Sequence, residues 1–489
     1  MTPKGPRIAI IGAGFGGVAV AAALRKAGFH DFVLLEKADR IGGVWRDNLY
    51  PGCACDVPAP LYSFSFAPNP DWSRRFPPHT EILSYLDRCV AELGLTPHLR
   101  LGAEVTGADW DEAGSCWRLT LADGEELVAD VLVPAVGQLS RPVVPRLPGA
   151  ELFRGPALHT ARWDPELRIE GKRVAVVGTG ASAIQLVPAL AGTAAHIDVY
   201  QRTAPWTLPK PDRRYGRLRR AAYRRMPALM RPPRAGTWAM TVFTGAALLG
   251  NRAAGAFLRT ASRAQRRWQV RDPGLRARVT PDDPMGCKRV LFTSAWLPTL
   301  ARPDVELVTT PIAAVTAAGV RTTDGVEHPC DVLVYGTGFA ATDFLTPIRV
   351  TGRDGEKLEQ VWRDGAHAYL GMAVPGFPNM FLVYGPNTNT GNTSVVYFHE
   401  AQARYIVQVV RALAAGSGPL DVRPDVAAGY DAELQSRLAG SVWTACRNWY
   451  RTPSGRVVTN WPGMAGEYRR RTARLRLADF QQPAPAGRR

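Results

Sequence analysis

The sequence is poor in cysteine and in long apolar runs. Seven cysteines in 489 residues are a small and odd number, which argues against a disulfide framework and for a reducing compartment. The apolar run Thr237–Gly250 has 14 residues, whereas a membrane-spanning helix needs about 20. We therefore expect a soluble, cytoplasmic protein with no stable membrane insertion.

Acidic residues are also too few to balance the basic ones. The chain has 60 lysines and arginines against 43 aspartates and glutamates, which gives a net charge of +17. The arginines concentrate in Arg213–Arg234, Arg263–Arg278 and Arg469–Arg489. Because no compact nucleic-acid-binding motif accompanies them, we interpret these segments as solvated faces and expect no nucleic-acid partner.

Glycine, by contrast, is abundant and organised. Arg7–Ile11 predicts a short strand, GAGFGG at Gly12–Gly17 predicts a tight turn before a helix, and Asp31–Glu36 predicts a second strand. This order is a complete β-turn-α-β unit of the kind that binds dinucleotides. Residues 12–17 are called the first glycine turn below.

Each glycine of the first glycine turn has a physical task. Gly12 permits the tight turn, Gly14 lets the backbone approach a pyrophosphate, and Gly17 lets the helix pack close to the strand. The helix N-terminus offers free N–H groups and the positive end of its dipole to the phosphates. Glu36, at the end of the second strand, can accept hydrogen bonds from a ribose. The unit therefore predicts a dinucleotide site.

The same pattern recurs about 165 residues later. Its parts are the strand Arg173–Val177, the turn Gly178–Ala183 with Gly178 and Gly180, the helix Ser182–Leu190 and the strand Ala195–Tyr200. The last strand is followed by Arg202 and Thr203 in place of an acid. An arginine pairs with the 2′-phosphate that an acid would repel. This second glycine turn, residues 178–183, therefore predicts an NADPH site.

Two such units predict an α/β fold with two Rossmann-like dinucleotide-binding domains. Gly336–Phe339, which follows the predicted strand Asp331–Tyr335, marks the return of the chain to the first domain. We expect a discontinuous FAD-binding domain from segments 1–140 and 335–489, with an NADPH-binding domain at 141–334. Residues 209–284 predict a mostly helical excursion within the second domain. The tail 483–489 is predicted to be disordered.

The segment between the two units carries a longer motif. Phe153, Gly155, His159, Trp163 and Asp164 fit the pattern F-x-G-x-x-x-H-x-x-x-W-D. This pattern is the fingerprint of the type I Baeyer–Villiger monooxygenases, and it stands immediately before the second glycine turn, as that family requires. The sequence therefore resembles this family of flavin-dependent enzymes.

Other segments extend the resemblance over nearly the whole chain, apart from the helical excursion and the tail. They are Gly43–Trp45, Tyr50–Asp56, Met285–Arg289, Gly385–Gly391, Trp443–Tyr450 and Thr459–Pro462. One departure stands at Pro134–Gly137, where these enzymes commonly carry an A-T-G turn. A threonine hydroxyl is missing there, and we expect altered local hydrogen bonding rather than loss of function.

The resemblance implies a reaction and residues that carry it. NADPH would reduce FAD, O2 would form a flavin C4a-peroxide, and one oxygen would be inserted beside a ketone carbonyl to give an ester or lactone. Arg289 would be the catalytic cation, since an arginine stays protonated and presents directional donors. Asp56 would hold Arg289, Lys288 would bind the NADPH 2′-phosphate, and Trp45 would lie along the flavin. His159 would couple the two domains as NADPH moves.

The same resemblance implies a dry site and a small partner. Water near the reactive oxygen promotes loss of H2O2, and Trp45, Phe339 and Trp238–Leu249 are apolar enough to exclude it, although core packing explains them equally well. Trp163 would serve packing. We expect a small hydrophobic ketone and O2 as partners, FAD and NADPH as cofactors, and no metal.

Three other functions remain open at this stage. A flavin monooxygenase that hydroxylates nitrogen or sulfur shares part of the fingerprint, but Trp163-Asp164 and Arg289 favour the Baeyer–Villiger branch. A flavin disulfide reductase needs a dithiol facing the flavin, for which the C-x-C pair Cys53 and Cys55 is a poor fit. A non-catalytic protein would use its basic surface to bind nucleic acid or membrane.

Overall fold

Two parallel sheets form the centre of the computed structural model, which describes residues 5–391 and 393–481. The first sheet has the order Leu99–Arg100, Phe32–Leu35, Ile8–Ile11 and Val131–Pro134. The second sheet has the order Val305–Val308, His196–Tyr200, Arg173–Val177, Val332–Tyr335 and Ala157–His159. Each sheet contains one of the two predicted units, and the α/β fold with two Rossmann-like units is confirmed.

The predicted strands agree with the observed ones to within a residue. Arg173–Val177 has the predicted bounds, whereas the strands predicted at Arg7–Ile11 and Asp331–Tyr335 begin one residue later. Every residue of Ile8–Ile11 and Val332–Tyr335 is buried. Continuous apolar runs of this kind are typical of parallel strands that are covered on both faces.

Smaller sheets flank these two. One joins Arg349–Thr351, Val105–Asp111, Cys116–Leu121 and Glu126–Ala129, and another joins Ile312–Val315, Gly319–Thr322 and Glu327–Pro329. Two-stranded pairs link Thr207–Leu208 with Leu291–Phe292 and Asp421–Val422 with Phe480–Gln481. Trp117, fully buried, packs between the first of these sheets and the parallel sheet of the first unit.

Helices cover the sheets and connect them. The α-helices are Phe15–Lys26, Val44–Asp47, His79–Glu92, Ala183–Leu190, Arg217–Arg225, Arg231–Leu248, Arg252–Gln269, Pro273–Arg278, Trp296–Leu300, Leu358–Val361, Val395–Ala414, Pro424–Ala439 and Ala465–Arg471. Short 3₁₀ turns occupy Thr96–His98, Ala150–Leu152, Thr160–Arg162, Pro227–Met230, Arg353–Gly355, Val442–Thr444 and Leu477–Asp479.

Four of these helices make up the predicted excursion at 209–284. The apolar run Thr237–Gly250 lies mostly in the helix Arg231–Leu248, of which Thr237, Thr241 and Gly245 are buried. Within residues 5–391 and 393–481, none of the helices combines the length and the apolar character that crossing a bilayer requires. Trp238 of the excursion packs against the core of the first unit, and Val270, Leu275 and Val279 are buried in the core of the second.

The chain crosses between the two sheets twice, and the two crossings pair with each other. Pro142 pairs antiparallel with Phe339, Val143 N donates to Gly338 O at 2.9 Å, and Ala340 N donates to Arg141 O at 3.0 Å. The predicted domain limits at 140 and 335 fall beside this pair, and the division into two domains stays a prediction. The predicted disordered tail, 483–489, lies outside the described residues.

One disulfide corrects the expectation drawn from the cysteine count. Cys287 and Cys446 are bonded although 159 residues separate them, so their spacing gave no signal. Asn448 Nδ2 donates to Cys287 O at 3.0 Å and to Trp443 O at 2.8 Å. The bridge fastens the segment Met285–Arg289 to the C-terminal part of the chain.

Candidate active site

Only glycine fits sterically at two positions of the first glycine turn. Gly12 has a φ of +103°, and a Cβ there would lie 2.7 Å from Ala135 O. A Cβ on Gly17 would lie 1.9 Å from Gly12 O. The turn therefore needs glycine where the motif predicts it, because the helix starts directly over the strand.

The start of the helix Phe15–Lys26 suits a diphosphate. Its N-cap is Gly14, no side chain caps its first N–H groups, and no acidic residue occupies its first turn. Free N–H groups and the positive end of the helix dipole attract phosphate oxygens. A Cβ on Gly14 would meet only Gly43 Cα, at 3.9 Å, so the backbone here is open on the side where a ligand would approach.

Glu36 is buried beside this turn and bound to the protein itself. Its carboxylate accepts hydrogen bonds from Ala13 N at 3.0 Å, Ala38 N at 3.1 Å and Arg46 Nη1 at 2.8 Å. A carboxylate offers about four acceptor positions, so one is left for a ribose hydroxyl. The contacts fix Glu36 in place before any ligand arrives.

Trp45 lies in the short helix Val44–Asp47, which follows Gly43 beside the first glycine turn. Its indole Nε1 donates to Tyr62 Oη at 3.0 Å, and the two rings meet edge to face with centroids 5.5 Å apart. Burial raises the pKa of Tyr62 well above its usual range. The tryptophan is therefore held by a neutral phenol in an apolar setting.

The second glycine turn repeats the steric arrangement of the first. Gly178 has a φ of +107°, and a Cβ there would lie 2.7 Å from Gly336 O. Gly180 is exposed, and a Cβ there would meet only Gly336 O, at 3.8 Å. The helix Ala183–Leu190 has no side-chain cap and no acidic residue in its first turn, so it also presents free N–H groups.

Arg202, Thr203 and Lys288 gather at the end of this unit. Lys288 Nζ donates to Thr203 Oγ1 at 2.8 Å and forms an ion pair with Asp283 at 2.6 Å. Thr179 Oγ1 donates to Thr203 O at 3.2 Å, which ties the turn to the strand end. Arg202 is exposed. The structure thus brings together the groups that the sequence assigned to a 2′-phosphate.

Arg289 and Asp56 form an ion pair across 233 positions of sequence. The guanidinium donates from Nε at 3.0 Å and from Nη2 at 2.5 Å to one carboxylate oxygen. The charge of Asp56 raises the pKa of Arg289 by more than burial lowers it. Burial would raise the pKa of Asp56, but the charge of Arg289 holds it below its usual range. Both groups are therefore charged.

Two tyrosines that sequence reasoning gave no role surround this pair. Burial raises the pKa of Tyr450 to about 12, and it raises the pKa of Tyr384 as well, although the charge of Arg289 opposes both shifts. Tyr384 Oη donates to Asn389 Oδ1 at 2.8 Å. Asn389 Nδ2 donates to Asn460 Oδ1 at 2.7 Å. Asn389 and Asn460 stand in the segments Gly385–Gly391 and Thr459–Pro462, Tyr450 ends the segment Trp443–Tyr450, and Tyr384 directly precedes Gly385, so the family resemblance of these segments was the only sequence signal for them.

Lys210 is a further charged group that the sequence reasoning missed. Its Nζ donates to Cys55 O at 3.2 Å, and burial lowers its pKa although Asp56 opposes that shift. It is the one lysine in the arginine-rich stretch 209–284. This single lysine among arginines was the only sequence signal that Lys210 has a separate role.

The loop that carries Asp56 docks on the helix of the second unit. Gln185 accepts from Tyr50 Oη at 3.0 Å and Ala54 N at 3.2 Å, and it donates to Ala54 O at 3.0 Å. Cys53 and Cys55 are free and buried, and burial raises the pKa of both thiols. Protonated, buried thiols fit packing better than a reactive dithiol.

The fingerprint residues lie along the edge of the second sheet. A Cβ on Gly155 would lie 2.3 Å from Asp331 O, Trp163 is buried in the core of the second unit, and Phe153 packs against a smaller cluster. Asp164 accepts from Glu166 N at 2.9 Å. These residues shape the segment that leads into the second glycine turn.

His159 differs from the other fingerprint residues because it contacts Phe339, in the second of the two segments that cross between the sheets. Its Nδ1 accepts from Ala161 N at 3.1 Å, and its ring meets that of Phe339 at 5.6 Å between centroids. Its Nε2 is buried, and the backbone of Gly338 in the same crossing segment lies close enough to influence the ring's pKa. Burial lowers the pKa of His159, so the ring is neutral where the two chain crossings meet.

Two parallel sheets, each with a glycine turn open to a phosphate group, define an α/β oxidoreductase with two dinucleotide sites. The family model of the NAD(P)-binding Rossmann-like domain matches residues 10–76. A Baeyer-Villiger monooxygenase of Streptomyces coelicolor is 42% identical over 98% of this chain and 93% of its own. The chain belongs to the Baeyer–Villiger monooxygenases.

Two further comparisons agree with this assignment. A Baeyer-Villiger monooxygenase of Pseudomonas aeruginosa is 41% identical over 95% of this chain and 89% of its own. The solved structure of an oxidized steroid monooxygenase bound to NADP superimposes with a TM-score of 0.85 and 29% identity, over 96% of this chain and 97% of that one. The similarity therefore covers both units rather than one.

Proposed function

We propose that the protein is an NADPH- and O2-dependent flavoprotein that inserts one oxygen beside a ketone carbonyl to give an ester or lactone. The observation that carries the proposal is the charged pair of Arg289 and Asp56, held between the two dinucleotide units. The partners are a small, mainly hydrophobic ketone and O2.

The two cofactors divide between the two turns. Gly12, Gly14, Gly17 and Glu36 support FAD at the first turn, because the uncapped helix start and the open side of Gly14 fit a diphosphate. Gly178, Gly180, Arg202, Thr203 and Lys288 support NADPH at the second turn, because its strand ends in cations. FAD, once reduced by NADPH, supplies the activation of O2.

Arg289 supplies the fixed positive charge that the reaction needs. Negative charge develops on the carbonyl oxygen of the ketone when it is attacked, and a cation oriented in advance stabilises that charge without reorganisation. Asp56 holds the guanidinium by two hydrogen bonds from Nε and Nη2 to Oδ2, and Nη1 is the donor assigned to the substrate. Asp56 is a positioning residue in this scheme.

The other assigned residues exclude water and link the units. The apolar side chains of Trp45, Phe339 and Trp238–Leu249 are assigned to excluding water, which limits the loss of reactive oxygen as H2O2. His159 contacts Phe339 in the crossing segment, so a movement of the second unit would change this contact.

Arg289→Ala tests the role of the cation. We expect oxygenation of a cyclic ketone to fall about 10²–10³-fold, because one preorganised stabilising group is lost, while the rate of flavin reduction by NADPH stays within about twofold of the original. Stopped-flow absorbance at the flavin band measures the reduction, and product mass measures the oxygenation. H2O2 release should rise as oxygenation falls.

Asp56→Asn is a milder change to compare with Arg289→Ala, since it removes the carboxylate charge but keeps a hydrogen-bonding group beside Arg289. Arg267→Gln, an exposed residue on the helix Arg252–Gln269, is the matched control and should leave both rates unchanged. Oxygenation at the original rate in Arg289→Ala would overturn the assignment. Oxygen gain by amines or thioethers without any ester from ketones would favour the hydroxylating alternative.

A further inference from the structure

An open cavity of about 910 Å³ lies between the helical excursion and the C-terminal part of the chain. One wall is the helix Arg252–Gln269, which lines the cavity with Arg259, Arg263 and Arg266. Residues spaced by three and four positions share one face of a helix. The cavity therefore has a cationic wall built by a single element.

Arg266 is the unusual member of this wall. Its side chain is buried, with 4% exposure, its Nη1 donates to Ser262 Oγ at 2.7 Å, and its guanidinium lies 5.2 Å from the centroid of the Trp206 ring. No ion pair among residues 5–391 and 393–481 includes it. Burial and the charge of Arg263 lower its pKa. A buried guanidinium without a carboxylate lacks the partner that ordinarily offsets its desolvation.

The remaining charges of the cavity do not supply that partner. Arg437 and Glu467 neutralise each other through contacts of 2.7 and 2.9 Å. Asp283 is paired with Lys288 at 2.6 Å. Asp282, which is exposed, also lines the cavity, and no ion pair among residues 5–391 and 393–481 joins it to Arg259, Arg263 or Arg266. With these two pairs set aside, the cavity lining carries three arginines against one aspartate.

Apolar side chains line another part of the cavity, which also borders the segment Met285–Arg289 at Met285. Leu248, Val442 and Met464 line it. Leu248 packs against the backbone of Gly286, where a Cβ would lie 2.4 Å from Leu248 Cδ2, and Met285 itself lines the cavity. An apolar molecule with a charged end could thus contact both the cationic wall and the segment that carries Arg289.

We propose that this cavity binds the anionic end of the substrate, a carboxylate or phosphate group carried by a mainly apolar ketone. Arg263 and Arg266 hold the anion, because guanidinium groups bind carboxylate and phosphate oxygens with paired hydrogen bonds. The proposal rests on the proposed ketone oxygenation and names its substrate class. The coenzyme phosphate has its own cations, Arg202 and Lys288, at the second glycine turn.

The experiment uses the FAD-loaded full-length enzyme and matched ligands that differ only in charge. The ligands are a ten-carbon oxocarboxylic acid with its ketone near the far end, its methyl ester, and the corresponding oxoalkyl phosphate. Calorimetry measures binding to the oxidised enzyme, and product mass measures kcat/KM with NADPH. We expect the acid or the phosphate to bind at least about tenfold more tightly than the ester, and their order identifies the preferred anion.

Arg263 is exposed, so the Arg263→Gln variant should fold. The Arg266→Gln variant removes the buried charge. Both should weaken binding of the preferred anion about tenfold and leave the ester and NADPH unchanged, while Arg267→Gln on the same helix should change nothing. Equal binding of the charged ligands and the ester, or a rise confined to the KM for NADPH in Arg263→Gln, would overturn the proposal. Tight anion binding without oxygenation would contradict the proposed function instead.

Discussion

The two glycine turns meet the same steric demand in different surroundings. Gly12 and Gly178 have φ values of +103° and +107°, and a Cβ on either would lie 2.7 Å from a carbonyl oxygen. Ala13 and the start of the first helix are buried, and Glu36 is tied to that turn. Gly180 and Arg202 of the second unit are exposed.

The helices that follow the turns differ in the same sense. The first has 12 residues and a third glycine at Gly17, whereas the second has 8 residues, with Ala183 at the corresponding position and Pro188 inside it. A buried and preorganised turn suits a cofactor that stays bound, and an exposed one suits a cofactor that enters and leaves in each turnover. The comparison explains why one motif can serve FAD and NADPH in the same chain.

The largest difference in cofactor binding between the two turns is expected when one methyl group is added to either of them. Gly14→Ala and Gly180→Ala both leave room for the added Cβ within the protein, since the nearest atoms lie 3.9 Å and 3.8 Å away. The methyl would instead occupy the side from which a pyrophosphate approaches. We expect Gly14→Ala to weaken FAD binding about 100-fold, and Gly180→Ala to retain FAD and weaken NADPH binding by a similar factor.

Flavin absorbance per protein measures the first loss, and quenching titration with NADPH measures the second. Gly236→Ala is the control, because nothing lies within 4 Å of the Cβ position there, and it should keep both cofactors. A fully yellow Gly14→Ala protein would show that the first turn does not bind FAD. Loss of FAD in Gly180→Ala would remove the distinction between the turns.

The sequence predicted the turns because their chemistry is local. Gly12 and Gly178 stand in short motifs whose strand, turn and helix follow one another, so periodicity and glycine spacing were sufficient. The pair of Arg289 and Asp56 was predicted only through the family resemblance, since 233 positions separate the two residues. Its geometry then followed from the fold.

Features that join distant segments gave no local signal. Cys287 and Cys446 meet across 159 positions, and the cysteine count pointed the other way. Tyr384 and Tyr450 approach Arg289 only after the C-terminal part folds back. Arg263 and Arg266 fell in a segment that was interpreted as a solvated face, because the contact of Arg266 with the Trp206 ring is invisible in a charge pattern.

A smaller effect is expected where the second turn distinguishes NADPH from NADH. Arg202→Gln removes an exposed cation that has room to meet a 2′-phosphate, and hydrogen bonds to charged groups contribute about 1.5–3 kcal/mol. We expect kcat/KM for NADPH to fall about 10–100-fold and that for NADH to change little. Flavin reduction rates with the two coenzymes measure the ratio.

Lys288→Gln sharpens this test, because Asp283 already neutralises part of the charge of Lys288. Its effect on NADPH should be smaller than that of Arg202→Gln, and Arg267→Gln should have none. Equal losses with NADPH and NADH would mean that Arg202 supports the fold of the strand end rather than the phosphate.

The smallest expected effect concerns a buried histidine beside the first unit. His399 lies in the helix Val395–Ala414, its two ring nitrogens have no hydrogen-bond partner among the described residues, and its ring meets that of Tyr384 at 5.5 Å between centroids. Burial lowers the pKa of His399 from 6.5 to about 3. The ring is therefore neutral in the folded protein throughout the range in which an exposed histidine becomes charged.

The sign of the pH dependence follows from where the proton binds. Below pH 6.5 the unfolded chain takes up a proton at His399 that the folded protein refuses until pH falls to about 3, so unfolding is favoured by about 1.4 kcal/mol per pH unit. His399→Phe keeps an aromatic ring against Tyr384 and removes the titrating group, and its unfolding free energy, measured in urea between pH 5 and 7, should lose that slope. An unchanged slope would place the acid sensitivity elsewhere, with His159 at the chain crossings as the next residue to replace, because burial lowers its pKa in the same direction.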